Sequence, residues 1–187
     1  MLSKHIYAAL IASLLLAACS KTGSGSLLGA DGGRCIAITD AVVTTPKSSG
    51  CTSCAITNGI RSVDADLATA ATLNVNAKGE WAAIRATAKN GTVFKAGQMP
   101  GAFVSVTAAS AVGNSVTVET FLGGTLQENF KSDNITWRTP TFFGFMISKP
   151  FDAVEIAVSS TQDPGAPEIA IAEFCSDYVD RKGRHFD

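Results

Sequence analysis

Between residues 34 and 178, short runs of branched apolar residues alternate with glycine, proline and asparagine breaks, and no other feature constrains the fold of this chain as strongly. Val154, Ile156 and Val158 alternate with Glu155 and Ala157, which makes one face of an extended segment apolar and leaves the other free to differ. Ile169 and Ile171 repeat the pattern near the end. Period-two patterning between closely spaced turn signals is the mark of an all-β sandwich. It predicts strands at 34–40, 70–75, 81–88, 102–107, 115–122, 125–130, 141–148, 153–159 and 168–175. No stretch carries a sustained helical stripe, and 64–71 is expected to make at most a single turn. Internal repeats of solenoid or propeller length are absent. The expected fold is therefore all-β, a single antiparallel jelly-roll-like sandwich over 34–178, followed by a solvent-frayed tail at 179–187.

Two turns are specific. Asn90-Gly91 and Gly123-Gly124 supply the positive-φ positions that tight hairpins need. A two-residue loop at the second would set Glu119 opposite Glu128, a like-charge pair that weakens a ladder. Either the loop is longer and the register differs, or the two carboxylates share a cation.

The first 33 residues belong to a different regime. Lys4 opens a short charged segment, and an apolar run from Ile6 to Ala18 follows, too short to cross a bilayer as a helix. Leu16-Ala17-Ala18-Cys19 resembles the lipobox of bacterial lipoproteins. That resemblance implies removal of residues 1–18 and lipidation of Cys19, with two or three acyl chains giving stable anchorage where one would not. It also implies sorting to the bacterial outer membrane, because Ser20 rather than Asp follows the cysteine. An ordinary signal cut after Ala18, leaving Cys19 a free thiol, is the plainer alternative. Residues 19–33, rich in glycine and serine, are expected to be a flexible tether.

Beyond Cys19, four cysteines remain, Cys35, Cys51, Cys54 and Cys175, an even number in an exported chain. Two disulfides are expected. Cys35 with Cys175 and Cys51 with Cys54 is the preferred connectivity, while the crossed pairing of Cys35 with Cys51 and Cys54 with Cys175 stays open. A redox role for Cys51-Thr-Ser-Cys54 would want a strand before it and a helix after, and the flanking residues read as loop. A four-cysteine zinc site usually has two close pairs, and here only one pair is close.

Charge and composition exclude several classes. The chain carries 15 Lys and Arg against 16 Asp and Glu, and without residues 1–18 its net charge is near −2, which offers nothing to nucleic acid. The basic cluster Arg181-Lys182-Gly183-Arg184-His185 is expected to sit in solvent. Of the two histidines, His5 lies in the signal and His185 near the last residue, so histidine-based acid–base or metal chemistry has no foothold. Nucleophile-elbow, phosphate-loop and dinucleotide fingerprints are all missing. Glu80, Glu119, Glu128, Glu155 and Glu173 are the acids a carboxylate hydrolase would draw on, though scattered glutamates are also an ordinary surface.

The segment Ser62-Val-Asp64-Ala-Asp66-Leu-Ala-Thr69 resembles the aspartate-rich turn near the start of discoidin-type, galactose-binding-like sandwiches. Ala96-Gly97, Ala102-Phe-Val104, the stretch from Val118 to Glu128, and Phe145 to Val154 resemble a sandwich domain of bacterial surface and adhesin-like proteins. The likeness runs from about Cys51 to Phe174. It implies a domain that binds glycans or proteins, with any cation near the turn structural. Asp64 and Asp66 are accordingly the candidate ligands of a structural calcium, although an Asx-stabilised turn explains them equally well. Trp137 beside Arg138, in a polar stretch between two strands, is the candidate sugar-stacking platform. Its plainer reading is a strand start that plugs the core edge. Trp81 opens a strand and is expected in the core. The leading expectation is a lipid-anchored binding module for a glycan or an envelope or surface protein, without catalysis and without a required cofactor. A structural envelope lipoprotein is the second expectation and a carboxylate hydrolase the third.

Overall fold

A computed structural model describes residues 26–29, 32–49, 51, 54–107, 113–133, 135–162 and 168–185. The lipobox and Cys19 lie outside the described residues, and within them no helix is long and apolar enough to cross a membrane. The chain forms two antiparallel sheets packed face to face, the expected all-β sandwich.

The five-stranded sheet runs β3 (Ala41–Thr44), β6 (Trp81–Ala88), β11 (Ala153–Ser160), β8 (Asn114–Leu122) and β9 (Thr125–Asp133). Alternation decides which way each side chain points. Ala82, Ile84 and Ala86 of β6, Val154, Ile156 and Val158 of β11, and Val116 and Val118 of β8 all enter the core between the sheets. Each buried valine or isoleucine contributes about 1.5–3 kcal/mol.

The other sheet is built around β12 (Glu168–Val179). On one side β12 pairs with β7 (Gly101–Val106), which carries β10 (Thr141–Gly144) at the edge. On the other side it pairs with two short strands placed end to end. One is β5 (Ala71–Asn74), flanked by β4 (Ala55–Thr57), and the other is β2 (Arg34–Ala37), flanked by β1 (Ser26–Leu28). Nearly every residue of β12 is buried, on both faces. Its outer face is covered by a second small core of Cys35, Ala37, Phe103, Ala172, Cys175 and Tyr178, against which Leu67, Met99 and Phe142 pack. Phe142 stacks on Tyr178 with centroids 4.0 Å apart.

The disulfides are Cys35–Cys175 and Cys51–Cys54, so the crossed pairing does not occur and no four-cysteine zinc site forms. The first bridge ties β2 to β12, and the second closes a short loop ahead of β4.

Several expectations need correction. The tether predicted over 19–33 contains a strand, because β1 pairs Leu28 with Arg34, and Gly29 N donates to Gly33 O at 2.8 Å. The frayed tail is likewise ordered through His185. β12 runs to Val179, Arg184 pairs with Asp180 at 2.9 Å, and the His185 ring lies 2.7 Å from Asp177. The strand predicted over 34–40 stops at Ala37, and that over 141–148 stops at Gly144. β3 and β4 were not expected; they are short and half-exposed, and show little alternation. The single helical turn lies at Gly59–Val63 as a 3₁₀ turn, ahead of the place expected.

The Gly123-Gly124 hairpin keeps its two-residue loop, with φ of 57° and 81°. A bulge between Thr120 and Phe121 takes up one residue of β9, so Glu128 faces Thr120 and Asn129 faces Glu119. Register, not a shared cation, removes the like-charge pair. Glu128 instead accepts from Ser148 N at 2.8 Å, Ser148 Oγ at 2.7 Å and Lys149 N at 3.1 Å, pinning β9 to the loop after β10.

Candidate functional site

The outer face of the five-stranded sheet carries the site. Antiparallel register stacks its outward side chains in rows across β6, β11 and β8. Trp81, Ser159 and Ser115 form one row, Ala83, Ala157 and Thr117 the next, and Arg85, Glu155 and Glu119 the third. Small side chains therefore lie between a tryptophan and a charged row. The result is an open trough of about 300 Å³ lined by Trp81, Thr117, Glu119, Glu155, Ala157 and Ser159. The two walls are four residues apart along β6, roughly 13 Å at strand rise. This is the lower end of the usual ligand-site volume, which starts at about 300 Å³.

Trp81 is 37% exposed, which corrects its expected place in the core. A loop holds it there. Ser48 N donates to Trp81 O at 3.0 Å, and Trp81 N donates to Ser48 Oγ at 3.2 Å. Cys54 Sγ lies 3.5 Å from the same carbonyl, and Cys51 N donates to Ser48 O at 3.2 Å, so the Cys51–Cys54 bridge lies directly against the Ser48–Trp81 contact.

The charged row is not neutral. Arg85 Nε donates to Glu155 Oε2 at 2.7 Å, and its guanidinium carbon lies 3.6 Å from the Phe121 ring centroid. Glu155 is buried at 3% exposure. Burial pushes its carboxyl up, and Arg85 pulls it back only in part. Burial and then the Glu155 charge push the Glu119 carboxyl up as well, with Arg85 acting the other way.

The two sites expected from sequence stand elsewhere. Trp137 is half-buried, leans on Phe143 at 6.0 Å between centroids and packs against the main core. Its carbonyl accepts from Val106 N at 2.7 Å, and it stands at the core edge ahead of β10 rather than at the start of a strand. Arg138 is exposed beside it. Asp64 and Asp66 form nested turns, with Asp66 N donating to Asp64 Oδ1 at 3.0 Å, Ala68 N to Asp66 Oδ1 at 2.9 Å, and Thr69 Oγ1 to Asp64 Oδ2 at 2.7 Å.

Sequence reasoning missed the third member of this turn. Glu173, fully buried on β12, accepts from Ala65 N at 2.6 Å through Oε2, while its Oε1 is buried without a partner. Ala65 itself sits at φ 59°, a strained position for a residue with a Cβ. Burial raises the Glu173 carboxyl to about 8, with the Asp64 charge adding to the effect. An acid inside the otherwise apolar strand Ile169–Phe174 was the available signal. Glu80, the last of the suspected acids, places a carboxylate oxygen within 4.8 Å of the Cys51 and Cys54 sulfurs.

No protein-family model matches the sequence, and no curated protein matches it. Among solved structures, a fucose-binding module of Streptococcus pneumoniae is 14% identical, with 79% of this chain and 96% of that one covered and a TM-score of 0.45. The family 32 carbohydrate-binding module of C. perfringens NanJ, in complex with galactose, is 14% identical over 79% of this chain and 98% of that one, with a TM-score of 0.41. The enzymatically active domain of tailspike protein 4 from bacteriophage CBA120 is 14% identical over 76% of this chain, with a TM-score of 0.43, and this chain spans only 19% of it. Likeness at this level assigns no family.

Proposed function

We propose that this protein is a glycan-binding module that takes its ligand in the trough between Trp81 and Glu119. The observation that carries the reading is the exposed Trp81 set across a floor of small side chains from a row of carboxylates. Saccharides offer apolar C–H faces that stack on aromatic rings and hydroxyls that need fixed polar partners, and the trough supplies both. Its open shape suits a chain passing across the sheet. Binding of the full chain in mild detergent to a glycan array tests this. Trp81→Ala should abolish the signal, whereas Trp137→Ala should lower stability and leave binding in place. A blank array from folded protein would sink the glycan reading and leave a protein-contacting envelope component.

Two further parts belong to this proposal. Lipidation of Cys19 would hold the module at the bacterial outer membrane, and mass spectrometry of the purified protein, with Cys19→Ala beside it, reads that directly. A structural calcium would be held by Asp64 and Glu173, with Thr69 alongside. The fit rests on hard oxygen donors and on the orphaned Glu173 Oε1, a buried acceptor that a cation would satisfy. Asp66, the other aspartate expected there, spends Oδ1 on the Ala68 N–H, just as Asp64 spends Oδ1 on the Asp66 N–H and Oδ2 on the Thr69 hydroxyl.

A further inference from the structure

The third row across the trough holds two carboxylates and one guanidinium. Arg85 is committed to Glu155 at 2.7 Å and lies against Phe121. Glu119, directly across the ladder from Glu155, makes no hydrogen bond or ion pair among the described residues, and it lines the trough. The neighbouring edge strand does not compensate it. Asn129 stands opposite Glu119, and Lys131, two pairs further along opposite Thr117, is engaged with Asp133 at 3.3 Å. The trough thus ends in a carboxylate that has no ion-pair partner among the described residues, with Arg85 and Lys131 each paired to another acid.

We propose that the trough selects saccharides carrying a free amine, whose ammonium group sits against Glu119 while a neighbouring ring stacks on Trp81. This rests on the glycan reading above and names the ligand class of the same site. An ammonium supplies three donors and the charge the row lacks, and a charge-assisted hydrogen bond to a carboxylate is stronger than a neutral one. Acetylation of that amine removes the charge and two of its donors. Burial first, and then the Glu155 charge, raise the Glu119 carboxyl, and a bound ammonium would act with Arg85 in the opposite direction.

The test compares a glucosamine tetrasaccharide with its fully N-acetylated counterpart by calorimetry, using the full chain in mild detergent near neutral pH. The free-amine oligomer should bind about tenfold more tightly or better, and Glu119→Gln should bring the two affinities together. Asp40→Asn removes an equal charge at a distant surface ion pair, and should leave the preference intact. Circular dichroism confirms that each variant is folded. Equal binding of both oligomers, lost in Trp81→Ala, would overturn amine selection and leave the glycan reading standing. A preference that survives Glu119→Gln would also overturn it, as charge attraction from elsewhere on the surface. No binding of either oligomer, together with a blank array, would overturn both.

Discussion

Arg85 settles which face of its strand Trp81 occupies. Residues four apart in a strand share a face, and a charged Arg85 marks the outward one, so Trp81 must point outward too. That inference was available in the sequence, yet the local pattern WAAIRATA is apolar enough to hide it. Trp137 is the converse case, a polar neighbourhood around a ring that leans into the core. Glu119 and Glu173 show what single residues do in such settings. The Glu119 carboxyl is raised in the folded protein above its ordinary value of 4.5, so folding favours the proton. The stability this contributes is fully present below pH 4.5 and is lost as pH rises through the raised value. Glu119→Gln should therefore be the more stable protein at pH 8, by about 0.5 kcal/mol or less given partial screening by water, with the gap closing toward pH 4. Urea midpoints of the two proteins across that range check it. For Glu173, calcium should raise the melting temperature of the parent protein, by an amount equivalent to about 2.7 kcal/mol at 100 times Kd. Glu173→Gln should lose that response, and in chelator near neutral pH it should melt no lower than the parent, since the raised Glu173 is there a neutral acid that glutamine matches in size and charge. Thermal melts with calcium and with EDTA decide both points.

At the scale of elements, the strands with clear alternation were legible and those without it were not. The strand at Ala153–Ser160 stands where the pattern puts it. β3 and β4 were hidden because strands of four and three residues offer no second period to count. β12 was only half legible, because alternation predicts one wet face and the small core around Phe103 and Tyr178 covers that face. The trough was out of reach for a related reason. It depends on which row of β6 faces which row of β8, and that register is fixed by pairing through β11 rather than by either strand alone. The Arg85–Glu155 pair within that row is the element's electrostatic hinge. Arg85→Met should cost about 3–5 kcal/mol by leaving Glu155 buried and uncompensated. Adding Glu155→Leu should recover most of the loss, as burying no charge is easier than burying one. Chemical denaturation of the single and double variants measures the difference.

For the molecule as a whole, the two disulfides differ in kind. The Cys35–Cys175 bridge spans 140 positions and the Cys51–Cys54 bridge spans 3. Loop-closure entropy then predicts a loss of about 5 kcal/mol on removing the first and about 2 kcal/mol on removing the second. The paired Cys51→Ser and Cys54→Ser change should weaken glycan binding more than it weakens the fold, because that bridge lies against the Ser48–Trp81 contact, with Cys51 N bonded to Ser48 O. Melting curves and array binding of the two double variants separate these roles. The longer bridge has a mechanical consequence as well. Tension applied from outside it enters at Cys35 and leaves at Cys175, passing through one covalent link rather than through the strands between. On the order of 480 Å of contour, 140 residues at about 3.4 Å each, is thereby withheld from extension. A module pulled through its two chain ends would yield only in its flanks, while the trough inside the loop kept its shape under load.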